Sequence, residues 1–210
     1  MASVNIVVLL SGRGSNFRAI NEAIKQKVIN GASIAAVISD KPYAEGLLYA
    51  KENKIEAISL NPQEYATREK FDGEILKIAQ SLDASLICLA GYMRIVSKVL
   101  VDAYYGKMMN IHPSLLPSFP GLHAQRQALN YGVRVSGCTV HFVDNGLDTG
   151  PIIVQRSVPV FADDSEHTLS ARILKEEHIL YPKAVALYTK GLLYIEDRSV
   201  KILQERGEEE

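Results

Sequence analysis

Asn5-Ile6-Val7-Val8-Leu9-Leu10, followed at once by Ser11-Gly12-Arg13-Gly14-Ser15-Asn16, decides how the chain begins to fold. From Ile6 to Leu10 there is no polar position. That is the pattern of a strand covered on both faces inside a parallel sheet, because a strand with one wet face alternates instead. The two glycines end the run. Beyond them Phe17, Ile20, Ala23, Ile24 and Val28 recur at spacings of three and four, an amphipathic helix ending near Asn30-Gly31, and 32–39 reads as a second strand. Strand, glycine loop, helix and strand make a βαβ opening.

The same alternation continues outward from this unit. Residues 43–53 read as a helix, 55–60 as a short strand, 68–82 as a helix with Phe71, Ile75, Ile78 and Leu82 on one face, and 85–90 as a fully apolar strand closing at Gly91-Tyr92-Met93-Arg94. A short helix over 97–103 leads to Met109-Asn110-Ile111-His112-Pro113. There Asn110 and His112 leave the same face of a strand while Ile111 points into the core. Pro113 and Pro117 end that strand. An irregular stretch and a brief helix over 125–131 follow, then strands over 136–143 and 152–160 joined by the glycine- and aspartate-rich turn 144–151, a pairing expected to be antiparallel. A long helix over 165–190, kinked or interrupted at Pro182, and a small hairpin over 192–203 complete the chain, with 205–210 as a frayed, solvated tail. The expected fold is α/β: one Rossmann-like domain over 1–210, a mostly parallel central sheet flanked by helices, with an antiparallel addition in the C-terminal half.

Composition narrows the function classes. A net charge of -1 with no basic stripe gives no general attraction to nucleic acid or to an anionic membrane surface. The N-terminal apolar run is too short, and lacks the preceding basic residues, for a signal or membrane segment. Cys88 and Cys138 lie in separate apolar runs, which reads as two buried free thiols. A cytoplasmic protein acting on small molecules is expected.

Four features point to chemistry. Gly12, Gly14, Ser15 and Asn16 precede a helix, whose N-terminus carries about half a positive charge and unpaired N–H groups, so the loop suits a phosphate. The P-loop lysine is missing, and Phe17 replaces the third glycine of the dinucleotide fingerprint, so a phosphomonoester fits better than a dinucleotide. The same residues also fit a plain turn with Ser15 or Asn16 capping the helix. Asn110 and His112 could meet a developing oxyanion, or His112 could be a structural histidine. Asp148 is either an ordinary turn aspartate or a partner that holds His112 in place and favours its protonated form. Glu177 projects onto the apolar face of the long helix with Leu169, Ile173, Leu180 and Ala184, where it either sits at a solvated edge or meets a cationic ligand such as an amine. His112, His123 and His141 lack zinc-ligand spacing, so no metal is expected and supporting roles fit better.

Together these motifs resemble the phosphoribosylglycinamide formyltransferases, folate-dependent enzymes of purine biosynthesis. The residues that carry the resemblance are Gly14-Ser15-Asn16, Leu89-Ala90-Gly91-Tyr92-Met93-Arg94-Ile95, Asn110 through Pro117 with Pro120-Gly121-Leu122-His123, Val140 through Val143, Leu147 through Pro151, and Glu177-His178 with Tyr181-Pro182. The resemblance implies transfer of the formyl group of 10-formyltetrahydrofolate to the amine of 5-phosphoribosylglycinamide, without a metal. It implies Asn110, His112 and Asp148 as catalytic residues, Gly14, Ser15 and Asn16 at the substrate phosphate, and Glu177 facing its amine. Arg68, Met93, Arg94, Ile95 and Val96, with Asn110, would line the folate site. Thr149 stands where some members carry a second glycine, which bears on the loop that holds Asp148. Members of the family occur as monomers or homodimers. Two alternatives remain at this level: a 10-formyltetrahydrofolate hydrolase, a group that usually carries an extra N-terminal domain, and a non-catalytic nucleotide- or folate-binding module.

Overall fold

The structure is a computed structural model and describes residues 3–204, so the expected tail at 205–210 lies outside the described residues. Its first half is built from β1 (Val4–Leu10), α1 (Ser15–Lys25), β2 (Ala32–Ser39), α2 (Glu45–Glu52), β3 (Glu56–Ser59), α3 (Arg68–Ser81), β4 (Ala84–Leu89) and α4 (Lys98–Ala103). The second half adds β5 (Met108–His112), α5 (Ala124–Tyr131), β6 (Val135–Phe142), β7 (Ile152–Pro159), α6 (Glu166–Thr189), β8 (Leu193–Glu196) and β9 (Ser199–Ile202).

The strands form one nine-stranded sheet in the order β3-β2-β1-β4-β5-β6-β7-β9-β8. β3 through β5 are parallel, and β6 and β7 add antiparallel neighbours, as the apolar runs and the aspartate-rich turn lead one to expect. Both faces of β1 are covered. Ile6, Val8 and Leu10 pack with Phe17, Ile20, Leu169 and Ile173, while Val7 and Leu9 pack with Phe71, Ile75 and Leu100. Period-two alternation thus sends neighbouring residues into two different cores, and neither face tolerates a polar side chain.

Two features differ from the sequence expectation. α1 ends at Lys25, short of Val28, because Lys27 turns left-handed at φ 59° and the chain closes a Schellman motif, with Val28 N–H donating to Ala23 O and Lys27 N–H to Ile24 O. α6 continues through Pro182. Its anchor is the preceding residue, the buried Tyr181, whose hydroxyl bonds to Leu89 O at 3.1 Å and Met109 O at 2.9 Å and fastens the helix across β4 and β5. The expected C-terminal hairpin forms, and β9 also pairs in parallel with β7 through Ile152 and Ser199 and so extends the sheet.

Strand order reverses between β1 and β4, and crevices for ligands open at the carboxyl ends of strands at such a reversal. The two loops leaving that edge are tied together. Ser11 N–H donates to Gly91 O at 3.0 Å, and Met93 N–H to Ser11 Oγ at 2.9 Å.

Candidate active site

At the end of β5, Asn110 stands opposite His141 of β6 in the antiparallel register, and Asn110 Nδ2 lies 3.2 Å from His141 Nε2. The other ring nitrogen, Nδ1, is 2.8 Å from Phe142 O. A carbonyl only accepts, so Nδ1 carries hydrogen and Nε2 of the neutral ring accepts from Asn110. Burial pushes the His141 pKa down, opposed by the Phe142 carbonyl and by Asp148, and this keeps the ring neutral. One amide hydrogen of Asn110 is thereby committed. The other has no protein acceptor among the described residues.

His112, 5% exposed, is held from both sides. Its Nδ1 is 3.3 Å from Asp148 Oδ2, and its Nε2 is 2.9 Å from the carbonyl of Phe119. Asp148 reaches this position from the turn after β6 with a left-handed backbone, φ 54°, and its Oδ2 accepts Gly121 N–H at 2.7 Å. Its Oδ1 lies 3.8 Å from His141 Nε2, so one carboxylate stands between two imidazoles. A β6 hydroxyl braces the start of the intervening loop. Thr139 Oγ1 donates to Ser114 O at 2.7 Å and accepts from Leu116 N–H at 3.0 Å and Gln155 Nε2 at 2.9 Å. Thr149 tightens the aspartate turn, because its hydroxyl donates to Asp144 Oδ1 at 2.7 Å while Arg198 of the terminal hairpin donates to its carbonyl at 3.1 Å.

The glycine loop departs from expectation in one respect. Gly14 is the N-cap of α1 in a left-handed conformation, φ 69°, and neither Ser15 nor Asn16 caps the helix. Asn16 instead turns inward, and its Nδ2 donates to Glu177 Oε2 at 2.7 Å. With no cap taking them, the first N–H groups of α1 remain directed at the loop, as an anion site requires. Glu177 is buried rather than at a solvated edge, and burial pushes its pKa up, partly offset by the bond from Asn16. Asn16 Oδ1 is buried without a partner. Glu177 lies one turn before Tyr181 on the same face of α6, about 6 Å along the helix, which places it over the β4–β5 end of the sheet.

The segment 91–97 leaves β4 beside these groups, since Leu89 pairs with Asn110. Met93 and Ile95 point outward, 63% and 61% exposed, whereas Arg94 and Val96 are partly buried and the Arg94 guanidinium lies 4.9 Å over the Phe71 ring. Arg68 opens α3 in a loose ion pair with Glu69 at 3.7 Å. The structure therefore gathers Asn110, His112 and Asp148 into one cluster, joins Asn16 to Glu177, and sets 91–96 on the same edge of the sheet. His141, expected only in an unspecified supporting role, is paired with Asn110, and Asp72, which receives Ser97 N–H at 2.5 Å, is a residue the sequence does not single out. His141 was readable only by aligning β5 against β6 antiparallel. Among the described residues no group of three or more His, Cys, Asp or Glu side chains is arranged to hold a metal ion, and no helix is long and apolar enough to cross a membrane.

Residues 4–185 match the family model described as formyl transferase. The phosphoribosylglycinamide formyltransferase of Escherichia coli is 43% identical over 196 residues, covering 93% of this chain and 92% of that protein. The trifunctional purine biosynthetic protein adenosine-3 of Drosophila melanogaster is 44% identical over 191 residues, but this chain spans only 14% of its length. Among solved structures, glycinamide ribonucleotide transformylase 1 from Symbiobacterium toebii superposes with a TM-score of 0.94 at 46% identity, covering 96% of this chain and 95% of that one.

Proposed function

The chain belongs to the formyl transferase family, and on that premise we propose that it transfers the formyl group of 10-formyltetrahydrofolate to the amino group of 5-phosphoribosylglycinamide. The observation that carries this reading is the cluster of Asn110, His112 and Asp148 at the carboxyl end of β5, with the buried Glu177 over the same end of the sheet. Gly14, Ser15 and Asn16 would receive the acceptor's phosphate at the N-terminus of α1, and Glu177 would face its amine. Arg68, Met93, Arg94, Ile95, Val96 and Asn110 would line the donor.

In this reading the amine nitrogen attacks the formyl carbon. The N–C bond to the acceptor forms, the bond to N10 of the folate breaks, and the proton lost by the amine ends on N10, so no metal or covalent enzyme intermediate takes part. Negative charge builds on the formyl oxygen between attack and departure. Asn110 meets it with the amide hydrogen that His141 leaves uncommitted, and His112 meets it through Nε2–H. That N–H is shared with or yielded by the Phe119 carbonyl as the oxyanion forms. The carboxylate of Asp148 orients the imidazole through Nδ1. The buried carboxylate of Glu177 attracts the acceptor's amine and fixes its approach. Small molecules are the only partners this requires, and a cytoplasmic monomer or homodimer fits a chain with net charge -1 and no basic stripe.

The test is to supply purified protein with both substrates and follow tetrahydrofolate release. Release should depend on the amine acceptor, and His112→Ala should lose about a hundred- to a thousandfold in kcat, the usual cost of one oxyanion donor. Equal release with the acceptor left out would replace transfer by hydrolysis.

A further inference from the structure

Asp72 is a buried carboxylate that the proposed reaction does not use. It is 1% exposed on α3, and burial pushes its pKa up, opposed first by hydrogen bonding from Ser97 and then by the charges of Arg94 and Arg68, neither of whose guanidinium groups comes into ion-pair contact with it among the described residues. A carboxylate so placed is costly unless something uses it. Its partner is the backbone: Ser97 N–H donates to Asp72 Oδ2 at 2.5 Å. Ser97 ends the segment 91–97, which has little bonding of its own, since Tyr92 OH, Arg94 Nε and Ser97 Oγ are all buried without hydrogen-bond partners. The segment is held from outside at three points: by Ser11 at its start, by the Phe71 ring beneath Arg94, and by Asp72 at its end. Phe71 and Asp72 are successive residues of one helix, and Arg68 lies one turn before Asp72 on the same face.

We infer that Asp72 is a positioning residue for the formyl-donor site, whose carboxylate fixes the 91–97 segment through Ser97 so that Arg94, Ile95 and Val96 present a preformed surface to the folate. This rests on the formyl-transfer reading. A segment left to find its shape on binding gives up affinity to ordering, and one pinned at both ends does not.

The experiment measures tetrahydrofolate binding by calorimetry, acceptor KM, thermal stability and amide exchange over 91–97 in Asp72→Asn, Asp72→Ala and Asp72→Ser. Asp72→Asn keeps an acceptor oxygen and should bind tetrahydrofolate within about threefold of the parent, whereas Asp72→Ala should bind about tenfold or more weakly, the scale of one lost charge-assisted hydrogen bond. Acceptor KM should stay within about twofold, because the α1 loop is untouched, and the Ser97 amide should exchange faster. Asp72→Ser, too short to reach Ser97, serves if the alanine variant does not fold. Unchanged tetrahydrofolate affinity in the alanine or serine variant, or equal losses in asparagine and alanine, would overturn the inference and leave formyl transfer standing. If the parent protein binds no tetrahydrofolate, the transfer reading falls and the donor-site role falls with it, while amide exchange still reports whether Asp72 holds the segment.

Discussion

A neutral histidine behind an asparagine is a different device from a charged one. His141 accepts from Asn110 only because Nδ1–H is spent on Phe142 O and burial disfavours the cation. Protonation would turn Nε2 into a donor and repel the Asn110 amide hydrogen. His141→Ala should therefore lower kcat by about tenfold, the share of one misaligned donor, with both KM values little changed, and His141→Gln, whose Oε1 can replace Nε2 as acceptor, should recover part of it in a steady-state assay. Glu177 makes a second prediction, on stability. Its folded pKa is raised above the ordinary 4.5, so its contribution is fully present below 4.5 and is lost as pH rises through the raised value. Glu177→Gln removes that loss while keeping an oxygen for Asn16. Melting curves should coincide with the parent's near about pH 4 and lie higher near about pH 7.5, while acceptor KM rises. Greater stability with poorer acceptor binding is what a carboxylate retained for function predicts.

At the scale of the element, α6 owes its continuity through Pro182 to where it is fastened. The Tyr181 hydroxyl shares its one hydrogen between the carbonyls of Leu89, the last residue of β4, and Met109 within β5, and Asn16 reaches Glu177 one turn earlier, so helix, strands and glycine loop are cross-braced. Tyr181→Phe leaves the shape but removes this shared hydrogen bond. It should cost about 1–2 kcal/mol, or roughly 2–8 °C in Tm for a chain of this length, read by calorimetry. The turn from β1 into α1 leaves little room for a side chain. A Cβ at Gly14 would sit 3.0 Å from Leu10 Cδ2 and 3.1 Å from Gly46 Cα on a backbone at φ 69°. Gly14→Ala should destabilise by about 1–3 kcal/mol and weaken acceptor binding, since the N–H groups proposed for the phosphate are the ones displaced.

Across the whole molecule, the reversal of strand order brings three loops from different parts of the chain to one edge of the sheet: the glycine loop after β1, the 91–97 segment after β4, and the residues ending β5. The central strands are covered on both faces, whereas β9 meets the sheet through one residue pair with β7. Hydrogen exchange should therefore be slowest in β1, β4 and β5 and markedly faster in β8 and β9. If β8 and β9 exchanged as slowly as β1, the hairpin would be part of the cooperative core rather than an edge addition.

Much of this was legible in one dimension because it is local. The unbroken apolar run of β1, the three- and four-residue spacing in α1 and α3, and the glycine- and aspartate-rich turn between β6 and β7 each state their own conformation, and together they order the elements and make the first half of the sheet parallel. The residue types Asn110, His112, Asp148 and Glu177 were readable in the same way, with 91–97 marked by its motif. Local signals ran out at Lys27, which takes a left-handed C-terminal turn that glycine usually fills, and at the hairpin, whose alternation does not say which strand it joins. The pairs come from packing between distant segments. Asn110 with His141 spans 31 positions, Asn16 with Glu177 spans 161, and Asp72 with Ser97 spans 25. Hydrogen bonding and the cost of burying a charge depend on which groups become neighbours, and no periodicity in the chain encodes that. Local patterning along the chain therefore sets the elements and the chemistry available at the site. Packing decided that His141 is neutral, that Glu177 is buried against Asn16, and that a carboxylate on α3 holds the segment opposite it.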